Sequence, residues 1–209
     1  MRKLNDAAVR RAALAFAPDA WYILRVPRSS RPRYADAAVT SAKLVAVVFV
    51  IGLLTLLAPG LRGFGIWPRT VPGLVGILLA PLLHANGTHL MANALPLLVL
   101  LTLLLGDRHY RPVRTLVMIW LLSGAGTWLI GRGDSVHIGA SSIIYGLVTY
   151  LVAAAFWLKN WRAALIAVGV VFFYGGIIYG ILPRQGPISW EGHLCGALAG
   201  LWAARQNHA

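Results

Sequence analysis

The stretch GASSIIYGLVTYLVAAAFW, residues 139–157, contains no charged side chain. A helix this long and this apolar can cross the hydrocarbon core of a bilayer, which takes about 20 residues, range about 17–25. Its first turn is out of character. Ser141 and Ser142 follow Gly139 and Ala140, and Tyr145 comes one turn later. Hydroxyls at the entry of a membrane helix are costly unless something uses them.

Similar stretches lie on both sides. Residues 44–61, 89–106, 113–130 and 163–182 are comparably apolar. A weaker one, ISWEGHLCGALAGLWAA at 188–204, carries Glu191 and His193 and escapes hydropathy alone. The composition agrees: 58% hydrophobic, 12% charged and a mean hydropathy of +0.71 over 209 residues. Soluble domains carry roughly 45–50% apolar and about 25% charged residues, so this chain cannot cover a water-facing surface. An all-α, polytopic membrane protein with six transmembrane helices is expected. The single cysteine, Cys195, allows neither an internal disulfide nor a cysteine-based metal site.

The net charge of +13 does not mark a nucleic-acid binder, because the cations cluster at the ends of apolar segments. With the N-terminus in the cytoplasm and six crossings, 15 Lys and Arg fall inside. Only Arg62, Arg69, Arg132 and Arg184 fall outside. This bias fits a multi-pass protein of a cell membrane, bacterial inner or plasma membrane by expectation, with a cytoplasmic N-terminus. The chain then divides into a basic cytoplasmic segment, 1–43, and a membrane domain, 44–205. The first segment has no continuous apolar core of a cleavable signal. Trp21, Tyr22, Ile23 and Leu24 would suit an interfacial helix, and a plain basic tail fits equally well. Residues 62–88 are external yet partly apolar, broken by Pro68, Pro72 and Pro81. Such a loop is expected to dip into the outer leaflet, with protein or water satisfying its backbone.

Polar residues recur at one membrane depth. His89 and Asn93 are four apart at the start of the second span and share a helical face. Alone they read equally as hydrogen-bond donors aimed into the bundle or as interhelical glue. His84, upstream in the loop, suits a structural hydrogen bond. Ser141 reads as a helix cap, or as a nucleophile beside the free N–H groups and positive dipole end of its helix. Gly139 permits an unusual backbone angle just before it. His193 opens the last span, and Gly196 and Gly200 follow on its face, which allows close packing against a neighbour. Cys195 points nearly the opposite way, as a core thiol. One serine, one histidine and a His–Asn pair at the same depth make up the inventory of a serine hydrolase.

With HANGTHLMAN (84–93), GASSIIYG (139–146) and GHLCGALAG (192–200) in this order, the chain resembles the rhomboid intramembrane serine proteases. The resemblance covers residues 44 to 205 and implies a six-helix rhomboid-like bundle. It implies a Ser141–His193 dyad without an acidic third member. His89, Asn93 and the Ser141 N–H would form the oxyanion hole, Tyr145 would pack on the base, and Gly139 would support the nucleophile's turn. It implies neither metal nor cofactor. The partners implied are the lipid bilayer and transmembrane protein substrates, cleaved in or next to a membrane segment. Two features depart from the family. Ser142 stands where glycine is common, and the first loop has only WPR, at 67–69, where a Trp-Arg pair is often found. Ser141 is preferred over Ser142 because Tyr145 then falls at i+4. Glu191, two before His193, points elsewhere on a helix and is not expected in the dyad.

Other readings fit less well. A catalytically inactive relative that binds or escorts membrane clients would lack Ser141 or His193, and both are present. A transporter commonly shows internal repeats, and none is detected. His84 and His89, five apart, do not make a helical metal-ligand pair.

Overall fold

The structure is a computed structural model and describes residues 33–186 and 188–208. The expected basic segment therefore lies outside the described residues up to position 32. Among the described residues six helices of 14 residues or more form a bundle. They are α1 (Tyr34–Leu57), α2 (Gly87–Gly106), α3 (Pro112–Ile130), α4 (Ser141–Leu158), α5 (Trp161–Tyr174) and α6 (Trp190–His208). There is no strand among those residues, only an isolated bridge between Ile66 and His137. The chain is a helical, multi-pass membrane protein. Among the described residues five segments are long and apolar enough to span, counting α5 together with the 3₁₀ turns Gly175–Ile181 that prolong it. The sixth helix, α6, is too polar to be found that way.

Two boundaries differ from the sequence reading. The first helix begins at Tyr34 rather than 44, because the Ala-rich stretch 34–43 is helix-forming despite Asp36 and Lys43. Arg33 donates its backbone N–H to the Gly106 carbonyl and forms an ion pair with Asp36. The helix stops at Leu57, just before Pro59. The fifth span loses its α-geometry at Gly175 and Gly176, residues of low helix propensity.

Helix α4 forms the centre. Ile143, Ile144, Leu147, Tyr150, Leu151 and Ala154 are buried on several of its faces. It packs most extensively on α6, and glycine explains how. A Cβ at Gly196 would fall on the Ser142 carbonyl, and one at Gly200 on the Gly146 carbonyl. Thr149 Oγ1 donates across this seam to the Ala197 carbonyl at 2.9 Å. At the far end, Asn207 Nδ2 donates to Thr115 Oγ1 at 2.7 Å, and Tyr150 Oη donates to the Tyr110 carbonyl at 2.5 Å. These bonds tie α3, α4 and α6 together, and Asn207 is the polar side chain that α6 contributes to them. By contrast α5 packs mainly on α4 and exposes Leu165, Val168, Val171 and Phe172, apolar side chains suited to lipid.

The segment between α1 and α2 is a compact run of short turns, Pro59–Phe64, Pro72–Leu74, Gly76–Leu79 and Ala80–Leu82. Its prolines break it, as expected. The WPR triplet, to which the sequence assigned no role, fastens this loop to α3. Arg69 adopts a left-handed conformation (φ 58°). Its N–H meets the Trp128 carbonyl at 3.0 Å, and its guanidinium donates to the carbonyls of Leu129 (3.0 Å) and Gly131 (2.8 Å). The cation thereby satisfies carbonyls left open at the C-terminus of α3. Trp128 and Trp120 reciprocate, donating their indole N–H to Thr70 and Ile77 carbonyls at 2.8 and 3.0 Å. Arg69→Ala is expected to cost about 1–2 kcal/mol of stability and to speed amide exchange across 58–86. Unchanged exchange there would show that the loop is held by other contacts.

Candidate active site

The starts of α2, α4 and α6 and the 3₁₀ turns after α5 converge on the site. Asn86 caps α2 by accepting the His89 N–H at 2.8 Å, which starts that helix two residues before His89. Ala140, fully buried, is the N-cap of α4, with no side-chain capping bond. Ser141 is therefore the first helical residue and not the cap, and its hydroxyl is free for another partner. That partner is His193 on α6: the Ser141 Oγ to His193 Nε2 distance is 3.0 Å.

The other imidazole nitrogen fixes the tautomer. His193 Nδ1 lies 3.0 Å from the Gly180 carbonyl oxygen, which can only accept. Nδ1 thus carries the proton, and Nε2 is left to accept from the Ser141 hydroxyl. The ring of Tyr145 stacks on that of His193, with centroids 4.1 Å apart and planes within 10°. A backbone carbonyl and an aromatic face therefore orient the imidazole, where a soluble catalytic triad uses a carboxylate. Gly180 has to be small, since a Cβ there would fall on the Tyr145 hydroxyl. Gly180 leaves no mark in side-chain identity because it acts through its main chain. Its setting in the glycine-bearing tail of the fifth span, GGIIYG, was the only available signal.

His89 and Asn93 lie against the turn that leads into Ser141. Gly139 has φ 111°, and a Cβ built on it would lie 2.6 Å from His89 Nε2 and 3.5 Å from Asn93 Nδ2. Both side chains therefore crowd the backbone that leads into Ser141. The Gly139 N–H donates to the Ala80 carbonyl at 2.8 Å, which ties this turn to the loop. Asn93, almost fully buried, donates from Nδ2 to His84 Nε2 at 3.1 Å, and its amide keeps a second N–H. His84 is itself buried, with its ring edge-on to His89 at 5.1 Å. The structural hydrogen bond expected of His84 thus goes to Asn93.

Ser142 faces away. Its Oγ lies 3.4 Å from Ser123 Oγ on α3, as the turn of a helix between neighbours demands. Glu191 also leaves the dyad, as expected, and pairs with Arg132 at 2.7 Å. Cys195 is buried and unbridged, turned toward Gly126 of α3. A narrow cavity lined by Ser123, Thr127, His137, Ser141, Ser142 and Ser189 has room for about one water molecule.

A half-buried hydroxyl bonded to an oriented imidazole, set inside a bundle of membrane helices, defines a class of intramembrane proteins that hold a serine–histidine pair. The chain belongs to the rhomboid family: the Rhomboid domain profile matches residues 72–207. The uncharacterised protein Rv1337 of Mycobacterium tuberculosis is 40% identical over 185 residues, covering 84% of this chain and 77% of its own length. The uncharacterised protein ML1171 of Mycobacterium leprae is 38% identical over 184 residues, covering 83% and 72%. A putative rhomboid protein, L523, of Acanthamoeba polyphaga mimivirus is 31% identical over 134 residues, covering 61% and 71%. No solved structure matches the chain. Membership makes the protein a rhomboid-type intramembrane protease or an inactive homologue of one.

Proposed function

We propose that the protein is an intramembrane serine protease that cleaves other membrane proteins in or next to a transmembrane segment. The observation that carries this reading is the 3.0 Å contact between Ser141 and an imidazole whose far nitrogen is held by a main-chain carbonyl. An inactive relative has no need of a base kept in the tautomer that accepts a serine proton.

Ser141 Oγ attacks the scissile carbonyl while His193 Nε2 takes its proton. The imidazolium keeps its Nδ1–H on Gly180 and then donates the Nε2 proton to the departing amine. The oxyanion is met by the Ser141 N–H, which has no partner one turn back, by the second N–H of Asn93 and by His89. Water then hydrolyses the acyl-enzyme through the same base. The substrate helix must unwind locally, because a helical peptide bond hides its carbonyl. The cationic bias along the sequence favours a cytoplasmic N-terminus in a cell membrane and a site that opens on the opposite side.

The test is direct. Purified protein in liposomes is incubated with a panel of single-span substrates, and products are mapped by mass spectrometry. Cuts within or beside the membrane segment are expected, together with fluorophosphonate labelling that His193→Ala abolishes. Failure to cleave any substrate and to take the label would leave the inactive reading. Asn93→Ala is expected to lower kcat by about 10²–10³-fold with little change in KM. A loss confined to KM would remove Asn93 from the oxyanion site.

A further inference from the structure

Two loops deliver the reacting groups. Residues 131–140 lead into Ser141, and residues 182–189 lead into α6 and His193. Hydrogen bonds cross between them. From the first loop, Arg132 donates through Nε to Glu191 Oε1 at 2.7 Å. Its Nη2 meets the Ile188 carbonyl at 2.8 Å and its Nη1 the Gly186 carbonyl at 3.2 Å. Glu191 is 1% exposed and Arg132 30%. One guanidinium thus grips the approach to α6 at three points, the last of them two residues before His193.

His137 adds a second tie. Its Nε2 donates to the Arg132 carbonyl at 3.2 Å, which leaves Nδ1 to accept from the Ser189 hydroxyl at 2.6 Å. Ser189 Oγ in turn accepts the Gly192 N–H at 3.2 Å, so it caps the first turn of α6. Burial holds the His137 imidazole below the usual histidine range, in the neutral form this bonding needs. The backbone of His137 is paired with Ile66, so the tie also reaches the loop after α1.

We propose that this cross-brace, with Arg132 and Glu191 as its positioning residues, holds His193 in register with Ser141; it rests on the protease reading above. The glycine seam locks α4 to α6 only from Ser142 and Gly196 onward. Ser141 and His193 lie before it, in first turns that fray when unsupported. Glu191 shares the first turn of α6 with His193, so fixing its carboxylate fixes the rotation of that turn. Misplacing a catalytic group by 1 Å costs about 10²-fold in rate.

The decisive variant is the double substitution Arg132→Met/Glu191→Leu. It removes both charges at similar volume, which leaves no unpaired ion and spares the fold. The expected result is a thermal midpoint and KM near those of the wild type. Both kcat and the rate of fluorophosphonate labelling should fall about 10–100-fold. Glu191→Gln, which still offers Arg132 an acceptor, is expected to keep at least about half of both. Wild-type kcat and labelling in the double variant would overturn the proposal, as would a loss confined to KM. If the double variant does not fold, Arg132→Lys decides. It keeps the charge pair but not the fork to Ile188 and Gly186, and a kcat equal to wild type would overturn the brace. A wild type that neither cleaves nor labels overturns the protease reading and the brace with it. An active wild type beside a fully active double variant overturns the brace alone.

Discussion

Ser141→Ala is expected to reduce cleavage of a single-span substrate by on the order of 10⁴-fold or more, to background, while Ser142→Ala stays within about threefold of wild type. The two adjacent hydroxyls differ in everything but chemistry. Ser141 Oγ meets His193 Nε2 at 3.0 Å, in front of an imidazole stacked on Tyr145. Ser142 Oγ turns toward Ser123 at 3.4 Å, and its backbone carbonyl forms part of the seam against Gly196. Steady-state cleavage in liposomes with both variants, plus fluorophosphonate labelling, distinguishes them. Activity retained in Ser141→Ala and lost in Ser142→Ala would transfer the nucleophile to the neighbouring residue and undo the geometry described for the site.

The largest loss of stability is expected from Gly200→Val. Its Cβ would fall on the Gly146 carbonyl and crowd Thr149 Oγ1, both on α4. A backbone carbonyl cannot rotate aside as a side chain can, so the two helices must separate. The cost is about 3 kcal/mol, the upper end for overpacking, or a midpoint lowered by about 6–12 °C. The same separation breaks the Thr149 to Ala197 hydrogen bond and draws His193 away from Ser141, so activity falls with it. Gly169→Ala in α5 is the control, since nothing lies within 4 Å of its added Cβ. Thermal unfolding in detergent compares them. A Gly200→Val protein as stable as Gly169→Ala would show that the seam is not close-packed.

Much of the site was legible because its chemistry is expensive in a membrane. A serine, two histidines and an asparagine near the starts of apolar runs stand out against a chain that is 58% hydrophobic, and the spacings 89–93, 141–145 and 193–196–200 put them on defined helical faces. Other parts could not be read that way. The start of α1 was set ten residues late, since hydropathy does not register an Ala-rich helix that carries Asp36 and Lys43. Gly180 acts through a carbonyl, which leaves no trace in side-chain identity. Arg69 stands in the sequence only as part of the WPR triplet, and its left-handed backbone is what aims it at the last carbonyls of α3.

Several membrane crossings as helices follow from the residues alone, because uncharged runs near 20 residues have no other stable solution in lipid. The candidates for chemistry follow from the residues too, but which of their atoms meet is a matter of helix packing. Ser141 and His193 are 52 positions apart. Their 3.0 Å contact depends on two helices packed at glycine distance, a carbonyl delivered from a third, and loops tied across the top. Local sequence carries periodicity and propensity, but distances between helices are set by packing, which no single segment encodes.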